Sequence, residues 1–542
     1  MKLNFFKRQY WNGQRLLLLT ILFIHTAASF YYISRQNITF DEPQYIEYAK
    51  RWLHGRPERT QLMDDSKSPV IAICWVPRIV RQIIQPEYHL TDYGRKDQEE
   101  GRYMMIFFSL VTALYMYWWC KDWYGEKGWI LPLIILLFDP LYLAYSTLIT
   151  TDLPCATFLL AVLFHFRKYV LHKNVKQLYI SALLTGLAIV TKQTLLFLVI
   201  LLPLIAIVRH VIHHSLKEIF SYKSLLHLLI FGAIVLFTIN LSYYFNQTGI
   251  AFGDYVFESQ SLQAMQQSFS IFHNIPVPFP KAFIQSIDMI KAHAELGADQ
   301  PNSTYNGVYL FEQIKLKGNY WYYYIVMLFY KMPIGTMLLL LGSLVLLVKK
   351  FKPKPFADRY LFLILPVLFF GILLSFFNQF QIGVRHILLI FPLLYIGVGK
   401  LFMYASGQRR SVKYFPVILV VYSLISVATY YPYIIPYTNE FIGDKKFVYK
   451  KILDTSIDYG QSDSSIHTFI IENPAYKRGV ENPSVGHYAV SMNEIINYPT
   501  KKCPFAWYHR FTPVGVYRHV VLLYDIKEAD LKTIKQEGIG NY

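Results

Sequence analysis

The chain has 542 residues, of which 54% are hydrophobic, 17% aromatic and only 16% charged, a balance that excludes an ordinary soluble protein of this length. Its formal net charge of +18 does not mark a nucleic-acid face, because the lysines and arginines cluster in short segments between apolar runs, where they report topology. The cysteines Cys74, Cys120, Cys155 and Cys503 have neither CxxC nor metal-ligand spacing, which leaves no disulfide framework and no zinc site to propose.

A spanning helix needs about 20 apolar residues, since it rises about 1.5 Å per residue through a hydrocarbon core about 30 Å thick. Candidate spans in chain order lie near 16–34, 103–120, 129–148, 153–170, 178–191, 193–209, 225–245, 321–348, 360–377, 386–404 and 414–431, about eleven in all. The span at 321–348 is interrupted at Met332-Pro333, where proline removes a helix hydrogen bond. The first span has no small-residue cleavage site after a short apolar core, so it is expected to be an anchor and not a removed signal peptide.

With the N-terminus inside, the inner segments are MKLNFFKRQYWNGQR, CKDWYGEKG, RKYVLHKNVK, RHVIHHSLKEIFSYK, KKFKPKPFADR and GQRRSVK. All are basic, as the positive-inside rule requires. The other face then carries the long segments 35–102, 246–320 and everything from about 432. That makes the outer face the working face. The expected fold is a polytopic α-helical membrane protein, 1–431, followed by a small outer α/β domain, 432–542, in which SIHTFIIENP, HYAVSMNEI and YRHVVLLYDI supply short β-prone stretches.

The first outer loop opens on NITFDEPQYIEYAKRWLHG. Tyr45, Ala49, Trp52 and Leu53 recur at helical spacing, which predicts an amphipathic helix over 43–54 lying along the interface. Asp41 and Glu42 stand at its entry. The structural explanation is capping, because Thr39-Phe40-Asp41-Glu42 fits the S/T-x-x-E box. Other residues pull against that reading. Asp152 sits at the outer mouth between two spans in STLITTDLP, Lys192 at another outer turn in GLAIVTKQTLL, and Arg385 with His386 at the start of a span on the same side. Lys67 joins them from DDSKSPVIAICW. Each cation alone is explained by snorkelling and Asp152 by helix capping ahead of Pro154. Acids and cations converging on one leaflet boundary instead suggest a wet functional cavity.

At this point the order of motifs resembles the GT-C glycosyltransferases of the protein O-mannosyltransferase and lipid A aminoarabinose transferase type, especially bacterial polyprenyl-phosphate-dependent members. FDEPQYIEYAKRWLHG is similar to their first-loop acidic motif, TLITTDLPCATFLLAVL to their second acidic site, and GLAIVTKQTLLFL, NGVYLFEQIKLKGNYWYYYIVMLFYKMPIGTMLLLL and QIGVRHILLIFPLLYIGVG to further blocks. DTSIDYGQSDSSI resembles an Asp-Trp-Gly-Gln segment with Tyr459 in place of the Trp, and GHYAVSMNEI and FAWYHRFTPVGVYRHVVLLYDI continue the likeness.

The resemblance implies that Asp41, its companion Glu42 and Asp152 are catalytic, and that Lys67, Lys192, Arg385 and His386 hold the donor phosphate. Tyr45, Asp458, Tyr459 and Gln461 become candidate substrate contacts, although the last three equally suit a turn against the membrane domain. Aminoarabinose transferases carry an Arg where this chain has Gln44, so that one phosphate contact is either missing or supplied by Arg385. The implied partners are a polyprenyl-phosphate sugar donor, a glycan, lipid or protein acceptor, and membrane lipids.

The implied reaction explains the residue types. A polyprenyl phosphate is already a competent leaving group, so the protein needs a carboxylate to take the acceptor's proton and cations to hold the departing charge. Direct displacement inverts the anomeric centre. No metal is required, although Glu258, His273 and His293 in the second outer loop are possible ligands for a divalent ion, with a solvated loop surface as the alternative. A transporter or lipid flippase is the rival from another class, suggested by the interruptions at Asp139-Pro140 and Lys331-Met332-Pro333 and opposed by the missing repeat. A receptor or scaffold would leave the boundary charges unexplained. The sequons at Asn37, Asn246 and Asn302 matter only in a secretory pathway with N-glycosylation. Single cysteines placed at Gln260 and Val480 should react with an impermeant reagent from outside the cell; reaction from the cytoplasm alone would overturn the topology.

Overall fold

The eleven apolar stretches are wholly or largely helical in the computed structural model, which describes residues 13–60, 64, 66–87, 95–296, 307–496 and 505–537. Seven are single helices long and apolar enough to cross a membrane, with an eighth if the bent pair Tyr323–Lys331 and Ile334–Lys349 counts as one span. The chain is an integral, multi-pass membrane protein. The other stretches are shorter or broken: Val175–Thr191 and Leu361–Phe377 are short apolar helices, and 129–148 divides into Ile130–Leu137 and Pro140–Tyr145.

Both interruptions have local causes. Asp139 is the N-cap of Pro140–Tyr145 and accepts from the N–H groups of Leu141 and Tyr142, each at 3.0 Å. Its second oxygen accepts from the Tyr395 hydroxyl at 2.7 Å. A buried carboxylate with these donors ends one helix and begins the next. At Met332-Pro333 the two helices meet at 119°. Lys331, which is buried, donates to the carbonyls of Ile435 at 2.7 Å and Ser456 at 2.5 Å. Asn439 completes the joint by donating to Phe329 and Met332 carbonyls at 2.6 and 2.8 Å. The chain after the last span is thus seated directly on the broken span.

One end of the bundle is held by Arg167–Asp122 at 2.9 Å, Arg209–Asp358 at 2.8 Å and the contact of His213 with Asp358 at 3.1 Å. Asp152 lies at the opposite end of the helix Asp152–His172 that carries Arg167, about 20 Å away along its axis. The chemistry-bearing residues gather at that second end. Beyond it, the C-terminal region forms a four-stranded mixed sheet in the order Tyr476–Arg478, Gly486–Ser491, Val521–Ile526, Gly515–Tyr517. The first pair is parallel and the others antiparallel, and the helix Ser462–Glu472 packs on the sheet.

Close helix packing depends on small residues, as membrane interfaces generally do. A Cβ at Gly335 would stand 2.3 Å from the Leu419 carbonyl oxygen and 2.5 Å from Ser423 Oγ. Gly335→Val should therefore push Ile334–Lys349 off Arg410–Ala428 and lower stability by about 1–3 kcal/mol, read as a lower midpoint of thermal unfolding in detergent.

Candidate active site

The adjacent acids at the entry of the first-loop helix go in different directions. Asp41 occupies the N-cap position of Glu42–Leu53 but makes no side-chain cap hydrogen bond. The capping role passes to Glu42, whose carboxylate accepts from the Thr39 N–H at 2.9 Å and Oγ1 at 2.8 Å. Glu42 also accepts from Arg102 through Nε at 2.8 Å and Nη2 at 2.5 Å, from Gln98 at 3.0 Å, and from the Ile149 N–H at 3.0 Å. It is fully buried and both its oxygens are saturated. Burial alone would raise its pKa, but Arg102 and these donors outweigh it and lower the value. Glu42 was grouped with Asp41 by resemblance. Its geometry makes it the clamp that fixes the loop to the helix Arg95–Tyr124 and to the 149 turn, leaving no oxygen free for an acceptor.

Asp41 faces the bundle end. Its Oδ2 accepts from Arg385 Nη1 at 2.8 Å and from the Tyr459 hydroxyl at 2.6 Å, while Oδ1 has no donor among the described residues. Its side chain remains 23% exposed. Burial pushes the Asp41 pKa up, but Arg385, Lys67 and the Tyr459 hydrogen bond together hold it well below the usual carboxylate range. Arg385 also lies 3.9 Å from Asp152 Oδ2. Asp152 in turn receives Lys192 Nζ at 2.6 Å. The row Asp41–Arg385–Asp152–Lys192 is therefore one alternating charge array. His386 is half-buried beside it.

Local backbone chemistry sets these positions. Gly383 adopts φ +114° just before Arg385 and donates its N–H to the Tyr323 hydroxyl at 2.8 Å, a conformation that a side chain would strain. Ser68 Oγ donates to the Val190 carbonyl at 2.9 Å and ties the segment carrying Lys67 to the end of the helix Val175–Thr191, just before Lys192. Buried Arg59 supports the same loop by donating to the Lys67 carbonyl at 2.8 Å and the Ala282 carbonyl at 2.9 Å. Lys67 is itself buried, with Nζ 4.2 Å from the centre of the Tyr45 ring and no hydrogen bond or ion pair among the described residues. Neither it nor Arg385 snorkels to water. Tyr45 reaches Thr151 Oγ1 through its hydroxyl at 3.3 Å.

The tail residues divide as well. Tyr459 enters the charge array, whereas Asp458 and Gln461 build the turn behind it. Asp458 accepts from the N–H groups of Gly460 and Ser462 and from Ser491 Oγ, and Gln461 accepts from the Tyr459 N–H at 2.6 Å. Gln44 is half-buried and carries no guanidinium. Sequence reasoning missed Arg102, Gln98 and Thr151, although the arginine in EEGRYMM at the edge of an apolar run was a visible signal. Among the described residues no group of three or more His, Cys, Asp or Glu is placed to hold a metal ion. His273 instead bonds the Gln266 carbonyl at 2.9 Å. Cys74, Cys120 and Cys155 are buried free thiols; Cys503 and the sequon at Asn302 lie outside the described residues.

This constellation carries lysines from two segments, an arginine, and an acid with one unbonded oxygen. Residues 90–243 match the family described as dolichyl-phosphate-mannose-protein mannosyltransferase. The matched segment contains Gln98, Arg102, Thr151, Asp152 and Lys192, whereas Asp41, Glu42, Lys67, Arg385, His386 and Tyr459 lie outside it. No curated protein matches the chain in sequence. Among solved structures, ArnT from Cupriavidus metallidurans bound to undecaprenyl phosphate aligns at 12% identity with a TM-score of 0.46, covering 95% of this chain and 98% of that one. Its apo state aligns at 13% identity and 0.45, covering 94% and 98%. The archaeal oligosaccharyltransferase AglB from Archaeoglobus fulgidus, in complex with an inhibitory peptide and a dolichol-phosphate, aligns at 14% and 0.43, covering 84% and 60%.

Glu42→Ala should remove a buried partner of Arg102 and lower stability by about 3–5 kcal/mol. A Glu42→Ala protein that unfolds at the wild-type midpoint yet loses all activity would show that Glu42 acts in chemistry instead.

Proposed function

We propose that the protein is a membrane glycosyltransferase that moves a sugar from a polyprenyl-phosphate donor to an acceptor hydroxyl, with inversion, at the outer face of a bacterial inner or plasma membrane. The observation that carries this reading is the charge balance of the site. Lys67, Lys192 and Arg385 supply three positive charges against the two negative ones of Asp41 and Asp152, and the ammonium of buried Lys67 faces the Tyr45 ring with no hydrogen bond or ion pair among the described residues. A buried ammonium is stable only if an anion or strong dipoles meet it. A lipid phosphate arriving at the bundle end supplies that anion while its tail stays in the bilayer.

In the proposed reaction the acceptor oxygen attacks the anomeric carbon as the bond from that carbon to the phosphate oxygen breaks. The acceptor proton passes to Asp41 Oδ1, and the electron pair of the broken bond leaves with the phosphate. Lys67, Lys192 and Arg385 stabilise that charge in a site largely shielded from water. Asp152 keeps Lys192 and Arg385 in place between turnovers. The match of residues 90–243 to the dolichyl-phosphate-mannose-protein mannosyltransferase family supports the same reading.

The transporter alternative drew on the charges at the two helix breaks. Asp139 is saturated by backbone N–H groups and Tyr395, and Lys331 by two carbonyls. Both are explained as fold-forming contacts.

Asp41→Asn preserves size but cannot take up the proton, so turnover should fall by roughly a hundredfold or more with little change in unfolding midpoint. Lys67→Met and Lys192→Met should instead raise the donor KM more than they lower kcat. The assay is release of labelled sugar from a polyprenyl-phosphate donor by membrane-inserted protein. Undiminished transfer by Asp41→Asn at saturating donor would remove Asp41 from the mechanism.

A further inference from the structure

Tyr459 is buried, and its hydroxyl shares Asp41 Oδ2 with Arg385. Arg385 also touches that hydroxyl, and its guanidinium carbon lies 4.5 Å from the centre of the Tyr459 ring, within cation–π range. The segment around Tyr459 is tied to both partners through their chain neighbours. Its own carbonyl accepts from the N–H of Phe40, next to Asp41, at 3.0 Å. Ser456 Oγ accepts from the N–H of Val384, next to Arg385, at 2.9 Å, and Thr455 Oγ1 donates to the Ile382 carbonyl at 2.6 Å. Gly460, at φ +96°, lets the turn lie against Phe40, where a Cβ would stand 3.3 Å from the Phe40 nitrogen. A packing role alone would be met by phenylalanine. The hydroxyl, and its aim at one carboxylate oxygen, need another explanation.

We propose that Tyr459 is a positioning residue for the transfer: with Arg385 it fixes Asp41 Oδ2 so that Oδ1 is presented to the acceptor hydroxyl, which makes the C-terminal region part of the catalytic centre. The inference rests on the glycosyl-transfer reading above. It assigns Tyr459 a role through Asp41 and not through contact with the sugar. Two anchors on one oxygen, from segments on different sides, restrict rotation of the carboxylate. A base held in reacting geometry gains far more than one free to turn.

Among the described residues the charged and titratable groups around Asp41 are Arg385, Lys67 and Tyr459, with Asp152, Lys192 and His386 grouped about Arg385 and the Tyr145 ring 6.2 Å from that of Tyr459. Loss of the Tyr459 hydroxyl removes a donor to the ionised carboxylate, so Asp41 would protonate at higher pH. A base must be deprotonated to act, and the acid limb of the rate profile would move upward with it.

The test uses full-length, membrane-inserted Tyr459→Phe, which keeps the ring over Arg385, and Tyr459→Leu, which removes both features. Turnover and donor KM are measured with a polyprenyl-phosphate sugar. Protonation of Asp41 is followed by infrared difference spectra against the same protein carrying Asp41→Asn. For Tyr459→Phe we expect kcat to fall about tenfold or more, donor KM to stay within about twofold, and the Asp41 carboxylate band to disappear at higher pH than in wild type. Tyr459→Leu should lose more of kcat. Wild-type kcat and an unmoved infrared titration in Tyr459→Phe would overturn the proposal, as would a loss of thermal stability with an unchanged titration, the mark of packing alone. The infrared titration needs no turnover. A wild type that transfers no sugar would therefore refute the glycosyl-transfer reading separately, while the titration still reports whether Tyr459 governs Asp41.

Discussion

A charge taken out of water must be met by opposite charge and hydrogen bonds, and the Glu42–Arg102 pair satisfies that requirement at both carboxylate oxygens. The carboxylate collects donors from its own loop, from the helix Arg95–Tyr124 and from the turn at Ile149. Those contacts set the height at which the first-loop helix meets the bundle, and thereby place the residue before Glu42. Adjacent side chains at a helix entry diverge in direction. One acid can be locked inward while its neighbour faces the site, which is a physical reason for two carboxylates in succession.

Much of this was legible in sequence because its causes are local or periodic. Apolar run lengths specified most of the helices, and the β-prone runs in the tail located strands such as Val521–Ile526, although SIHTFIIENP, expected as another such stretch, folds into the helix Ser462–Glu472. Asp41, Asp152, Lys67, Lys192 and Arg385 were picked out individually, and the structure gathers them at one bundle end. The pairings were not legible. Nothing in the spacing says that Arg385 reaches back across 344 residues to Asp41, or that Glu42 takes the capping contact while Asp41 declines it. Such choices are settled by tertiary geometry, where a capping box competes with longer-range partners.

The helix count shows a different limit. Hydropathy treats 129–148 and 321–348 as continuous runs, yet a buried Asp139 and a Pro333 divide them. The energetic reason is the same in both. Backbone groups released at a break in an apolar environment need substitutes, and here the Asp139 carboxylate and the Asn439 amide supply them. Sequence flags these residues as anomalies in a membrane segment. Whether an anomaly marks a transport path or a structural joint is decided by whether its polar atoms are already occupied.

The joint at Lys331 has a consequence for how the protein can be divided. Its ammonium sits on carbonyls that belong to chain beyond the last span, at Ile435 and Ser456, and Asn439 ties the same place from the opposite side. Removing everything after residue 431 would strand a cation in the interior and leave carbonyls at Phe329 and Met332 without the amide that now bonds them. The stretch from Ile435 to Ser456 is therefore closer to a keystone than to an appendage: the polar groups of the broken span are met only with this stretch lowered into place.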